Sequence, residues 1–275
     1  MRIDAHQHYW QIARGDYFWM GPNVAPIVRD VFPADLKPHL SAAGIERTVV
    51  VQAAATVAET EFMLDLAETE PSIAAVVGWV DLGADDVEAT LRRLATRPKF
   101  RGIRPMLQDI EDTFDILKPK HLAALRLLPE LNLRFDALAQ PRHLPVVAAL
   151  ADHIPELAIV VDHAAKPFIA KGIVEPWASD MAALAKRPSV LCKFSGLVTE
   201  AGANWSIAGL KPYADHLLAC FGPERLMFGS DWPVCELAAT YENWLAAAKE
   251  LLAGLSPAEQ DAVFGGNAAR FYGIA

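Results

Sequence analysis

The chain opens with Arg2-Ile3-Asp4-Ala5-His6-Gln7-His8, a short apolar run that carries two histidines two positions apart. Side chains alternate between faces along a strand, so His6 and His8 point the same way and can share one metal ion or one substrate group. What such a run means depends on its company. Seven more β-rich, apolar runs follow: Glu46 to Gln52, Ile73 to Leu82, Phe100 to Met106, Leu133 to Ala137, Leu157 to His163, Val190 to Ser195 and Arg225 to Asp231. Most are too continuously apolar for half-solvated strands and match parallel strands buried on both faces.

Helical patterns lie between them, over Val57 to Glu70, Asp85 to Thr96, Lys120 to Leu131, Leu144 to His153 and Ala238 to Leu252, several stopped by a nearby Gly or Pro. Strand starts recur about every 25 to 45 residues, the length of a β-α unit with a helical crossover. Eight such units predict a (β/α)₈ barrel, expected as a single domain over residues 1–275. An open doubly wound sheet is the rival, but a nucleotide-binding version needs a Gly-rich first turn, and Gln7-His8-Tyr9-Trp10 is not one. Ser256-Pro257-Ala258-Glu259 has the form of a capping box that opens a last helix. The longest connection, Tyr9 to Phe32, holds Trp10, Tyr17, Phe18 and Trp19, and reads either as a substrate-contacting lid or as packing over the barrel.

At 53% hydrophobic and 21% charged, with no apolar run near the roughly 20 residues of a membrane span, the composition is that of a globular protein with a large core. The first residues run straight into the first strand and leave no room for a leader, so a cytoplasmic protein without membrane partners is expected. Cys192, Cys220 and Cys235 are odd in number and lack C-x-x-C spacing, which argues against disulfides and a thiolate zinc site. A net charge of −9 disfavours nucleic acid as a partner.

In a barrel the chemistry collects at the C-terminal ends of the strands. Those ends are polar throughout: His6 and His8, then Gln52, Trp79 and Asp81, Arg104, Asp136 with Gln140 beyond it, Asp162 and His163, Lys193 and Ser195, and finally Ser230 and Asp231. So many ionisable groups at one end of an apolar barrel must pair with each other or bind something. For Asp136, Asp162 and Lys193, an ion-pair network closing the mouth is as good a reading as catalysis; His6, His8, His163 and Asp231 read as an active site.

Asp4-Ala5-His6-Gln7-His8-Tyr9-Trp10, Phe100-Arg101-Gly102-Ile103-Arg104, Val161-Asp162-His163 with Lys166-Pro167, Lys193-Phe194-Ser195-Gly196-Leu197 and Phe228-Gly229-Ser230-Asp231-Trp232-Pro233-Val234 together resemble the amidohydrolase-superfamily lactonases. The branch is the one with L-fucono- and L-rhamnono-lactonases and pyrone-dicarboxylate lactonase, and the likeness runs from residue 2 to the Gly265–Tyr272 tail. It implies a barrel enzyme that hydrolyses the cyclic ester of a sugar acid or related acid. It also implies Asp231 as general base and His163 as the sixth-strand histidine, with His6, His8 and Asp231 helping to hold a metal where one is used.

One departure from the wider superfamily bears on the metal. Strands four and five offer Arg104 and Asp136 where metal-rich members place Lys or Glu and His, which disfavours a binuclear centre. A single zinc on His6, His8 and Asp231 is the expected cofactor, with His163 as a further ligand or hydrogen-bond donor. Substrate contacts are expected from Arg104, whose planar fork suits a carboxylate or a hydroxyl cluster, and from Gln52, Lys193 and Ser195. Trp10, Trp79 and Trp232 can stack on a sugar ring or belong to the core. The preferred reading is a sugar-acid lactonase. Its rivals are a metal-independent hydrolase of a polycarboxylate lactone, for which Arg101 and Arg142 are the further cations, a metal-dependent decarboxylase, and a non-catalytic binder of small acids.

Overall fold

The computed structural model describes all 275 residues. Eight parallel strands run in chain order around one sheet: β1 (Ile3–Gln7), β2 (Arg47–Val51), β3 (Ile73–Gly78), β4 (Phe100–Ile103), β5 (Arg134–Ala137), β6 (Ile159–Val161), β7 (Val190–Phe194) and β8 (Leu226–Phe228). The sheet closes just past β8, where the His8 N–H donates to the Trp232 carbonyl at 2.8 Å and the Asp231 N–H to the His6 carbonyl at 2.8 Å. Asp4 reinforces that seam by accepting the Ser230 N–H at 2.8 Å. The fold is the (β/α)₈ barrel that the spacing predicts.

The principal helices are α1 (Pro33–Ala43), α2 (Val57–Thr69), α3 (Val87–Ala95), α4 (Pro119–Leu125), α5 (Leu144–His153), α6 (Trp177–Leu184) and α7 (Ile207–Phe221) in the crossovers, and α8 (Tyr241–Leu251) after the last strand. Their starts follow local chemistry: Thr56, Ser206 and Thr240 each accept an amide of the first turn as N-caps of α2, α7 and α8. Ser256 and Glu259 form the expected reciprocal capping box at the last helices. The pattern over Lys120 to Leu131 is not one helix, because α4 stops at Leu125 and a separate turn spans Leu127–Glu130. Pro129 sits in that turn, where it lacks an amide to donate and crowds the turn before it. No helix is long and apolar enough to cross a membrane.

The strands are shorter than the apolar runs. β3 ends at Gly78 rather than Leu82, so Trp79 and Asp81 belong to the following loop. β6 and β8 likewise stop before His163 and Asp231. Their backbone then turns left-handed, with φ between 51° and 57° from His163 to Lys166 and 58° at Asp231. Each such residue costs roughly 1–2 kcal/mol relative to ordinary backbone, and strain of this kind gathers at functional sites.

Inside the barrel the side chains form layers. The lower one is apolar, built from Ile3, Val49, Ala75, Val160 and Met227 and plugged by Phe271 and Tyr272 of the C-terminal tail. Above it lie Asp136, Asp162 and Lys193, all fully buried. A larger apolar shell fills the space between strands and helices.

Candidate active site

Three imidazoles converge on one oxygen. Asp231 Oδ1 lies 3.2 Å from His8 Nε2 and 3.7 Å from both His6 Nε2 and His163 Nε2. The rings are held from behind. His8 Nδ1 is 2.7 Å from the Val51 carbonyl, which only accepts, so that nitrogen carries the proton. His163 Nδ1 meets Ser195 Oγ at 2.9 Å, and His6 Nδ1 faces Lys193 Nζ at 3.0 Å and Asp162 Oδ1 at 3.4 Å.

Burial pushes all three histidines toward the neutral form: His163 down to about 4, His8 below its ordinary value and His6, also repelled by Lys193, well below it. Burial acts the other way on Asp231, but His163, His8 and His6 outweigh it and hold the carboxyl below the usual carboxylate range. With Nδ1 protonated, the Nε2 lone pair of His8 points at a carboxylate oxygen. That pairing calls for a proton or a cation between the two atoms.

The donor set suits a divalent ion in part. Nitrogen or oxygen atoms of His6, His163 and Asp231 all lie within 4.8 Å of one another, and His8 and His163 have the back-side partners that orient metal-bound imidazoles. The side of the cluster nearest His6 suits it less, because Lys193 Nζ and Arg104 Nη1, at 3.0 and 3.4 Å from the ring nitrogens, are cations themselves.

A cavity of about 130 Å³ opens above this cluster, the scale of one small ring rather than a chain of sugars. His8, His163, Asp231 and Arg104 floor it, and Trp19 and Lys166 are among its walls. Of the residues expected to contact substrate, Arg104 lines the cavity. Its guanidinium is gripped by the side-chain and main-chain oxygens of Gln52, while Gln52 Nε2 donates to the Arg104 carbonyl at 3.0 Å. Gln52, Lys193 and Ser195 do not line the cavity. They are fully buried beneath it and hold Arg104, His6 and His163 respectively.

The aromatic expectations divide in the same way. Trp10 is fully buried behind the site, its ring 6.1 Å from His8 and 5.7 Å from Trp19. Trp79 faces a neighbouring hollow with Asp81 and His121, because β3 ends before it. Trp232 is buried, its indole N–H donating to Glu236 at 2.7 Å. The tryptophan at the cavity is instead Trp19, from the long first connection, which the aromatic content of that loop signalled without singling out the residue. Lys166 was visible only as part of the Lys166-Pro167 motif.

Gly196 shows how closely the sequence is fitted to His163. Its φ is 69°, and a Cβ there would lie 2.7 Å from His163 Cβ. A Gly196→Ala variant is therefore expected to lose about 1–2 kcal/mol of stability from the left-handed backbone and to lower turnover by displacing the imidazole. A thermal melt and steady-state kinetics check both effects.

Site and fold together define a barrel hydrolase built around a carboxylate and histidines, and the chain belongs to the amidohydrolase family, whose model matches residues 3–274. It is 47% identical to an L-fucono-1,5-lactonase of Burkholderia ambifaria over 99% of this chain and 96% of that protein, and 38% identical to an L-fucono-1,5-lactonase of Burkholderia multivorans over 100% and 96%. A crystal structure of a Burkholderia multivorans amidohydrolase with bound zinc superposes with a TM-score of 0.95 at 38% identity, covering all of both chains.

Proposed function

We propose that this chain hydrolyses the intramolecular ester of a sugar acid, a six-carbon or deoxy-sugar lactone, to the open hydroxy acid. The observation that carries the reading is the single Asp231 oxygen at the focus of three imidazole nitrogens, on the floor of a cavity sized for one ring. The names of the two Burkholderia lactonases support the substrate class. The chain is a lactone-hydrolysing enzyme; which lactone it takes is the proposal.

In this reading Asp231 removes a proton from the attacking water as the water oxygen bonds to the lactone carbonyl carbon. The ring C–O bond then breaks, and the same carboxyl returns the proton to the departing ring oxygen, leaving the acid and a free hydroxyl. An acid as strong as Asp231 is a modest base, so its position against the water supplies much of the effect. His163 and Arg104 face the developing oxyanion. We assign a zinc ion to His6, His8 and Asp231 with His163 alongside; when bound it polarises the carbonyl and acidifies the water.

The polycarboxylate alternative has less support. Arg142 is turned away to the Gln108 carbonyl at 3.2 Å, and neither it nor Arg101 lines the cavity, leaving Arg104 and Lys166 as its cations. A pH-indicator screen of aldonolactones beside pyrone and muconolactone acids, with and without chelation, tests the proposal. Turnover of a sugar lactone, lost on chelation and restored by zinc, is the expected result. Turnover confined to polycarboxylate lactones overturns the substrate class, and turnover indifferent to chelation overturns the zinc assignment.

A further inference from the structure

Glu59 is fully buried beneath the rim of the site, yet its partners are backbone amides rather than a cation. It occupies the third position of α2, where a glutamate ordinarily reaches back to its own N-cap. Instead its two oxygens accept the Ala53 N–H at 3.1 and 3.0 Å, and one also takes the Ala54 N–H at 2.7 Å. Ala53 and Ala54 form the loop that follows β2. Burial pushes the Glu59 carboxyl up to about 7 against the pull of the Ala54 and Ala53 amides. A buried carboxylate is an expensive way to satisfy two amides unless the loop must be held in one place.

That loop also holds the long first connection. The Trp19 indole N–H donates to the Ala53 carbonyl at 2.7 Å, and Trp19 and Ala53 both line the substrate cavity. A second tie lies beside it: Thr56, the N-cap of α2, donates its hydroxyl to Asp16 at 2.9 Å, and Arg14 holds the same Asp16 oxygen at 2.6 Å. The first connection is thus fastened to the segment joining β2 and α2 at two points, Ala53 and Thr56, and Glu59 fixes the Ala53 end.

We propose that Glu59 is a positioning residue that sets Trp19 against the substrate through the Ala53–Ala54 loop, so that it governs substrate binding rather than the chemical step. This deepens the lactonase reading and rests on it for its kinetic test. Glu59 does not touch the cavity, and the bond-making atoms of Asp231 and the histidines are held by other elements. Its loss is therefore expected in KM, with kcat little changed.

The test is Glu59→Gln, which keeps shape and one acceptor oxygen but turns an N–H toward the loop amides. KM for the lactone is expected to rise about 10-fold, the loss of one charge-assisted hydrogen bond, with kcat changing less than about two-fold. Trp19→Phe removes the indole donor and is expected to raise KM as well, and adding Glu59→Gln to it is expected to produce no further rise. An unchanged KM, a fall in kcat matching the loss in kcat/KM, or multiplying effects in the double variant would overturn the proposal. Hydrogen exchange separates this from failure of the lactonase reading, since it needs no substrate. Faster exchange in Glu59→Gln at Ala53, Ala54 and across residues 16–20 supports the coupling; a change confined to Ala53 and Ala54 overturns it.

Discussion

Replacing Asp231 with asparagine is expected to lower kcat/KM about 10³-fold, the scale of a lost general base. The substitution removes the base without straining the backbone. Asp231 sits at φ 58°, a left-handed conformation that asparagine tolerates as readily as aspartate, so the backbone has no reason to move. The amide oxygen can stay opposite His8, but the group no longer takes a proton from water. The deficit should appear in kcat. Retention of more than a tenth of the parent turnover would remove Asp231 from the role of base and shift attention to His163.

Replacing Lys193 with methionine is expected to damage the protein more broadly. The ammonium is fully buried and lies 2.6 Å from Asp136, 3.0 Å from Asp162 and 3.0 Å from His6 Nδ1. Methionine matches its length but leaves buried Asp136 without a cation and Asp162 with only Arg104 Nη1 at 3.4 Å, a loss of about 3–5 kcal/mol, or roughly 10 °C in Tm. The pH dependence has a definite sign. In the parent, burial pushes Asp136 up to about 6, whereas Lys193 and His6 overcome burial at Asp162 and hold it well below the usual range. The depressed Asp162 contributes stability above the ordinary carboxylate pKa and loses it only as the pH falls through its lowered value. Without Lys193 both carboxyls rise, so the folded variant prefers them protonated and loses stability as the pH rises from about 4. Melts at pH 5 and pH 8 should show the larger deficit at pH 8. A deficit independent of pH would mean that the network contributes by packing alone.

Lys193 also shows where reading the chain stopped. The alternation of β7 assigns Lys193 and Ser195 to the same side of the strand, and that is where they are. It does not say how far each lies below the rim, and two residues amount to about 6–7 Å of depth. Both face inward, where they support His6 and His163 and do not line the cavity. Gln52 likewise grips Arg104 and does not line the cavity.

The order of β-α units, the inward pair of histidines, the last capping box and the polar strand ends were all legible in the residues, because each follows from local periodicity or from short-range hydrogen bonding. The convergence of His6, His8, His163 and Asp231 follows from strand order once the barrel is granted. What only the tertiary structure decided is what stands above and below that cluster. Trp19 reaches the cavity while Trp10 packs behind it and Trp79 turns into a neighbouring hollow. Glu59, from helix α2, fastens the loop whose Ala53 carbonyl accepts the Trp19 indole N–H. These placements depend on contacts between segments far apart in the chain and on where each strand leaves the barrel, and neither leaves a periodic trace in the sequence.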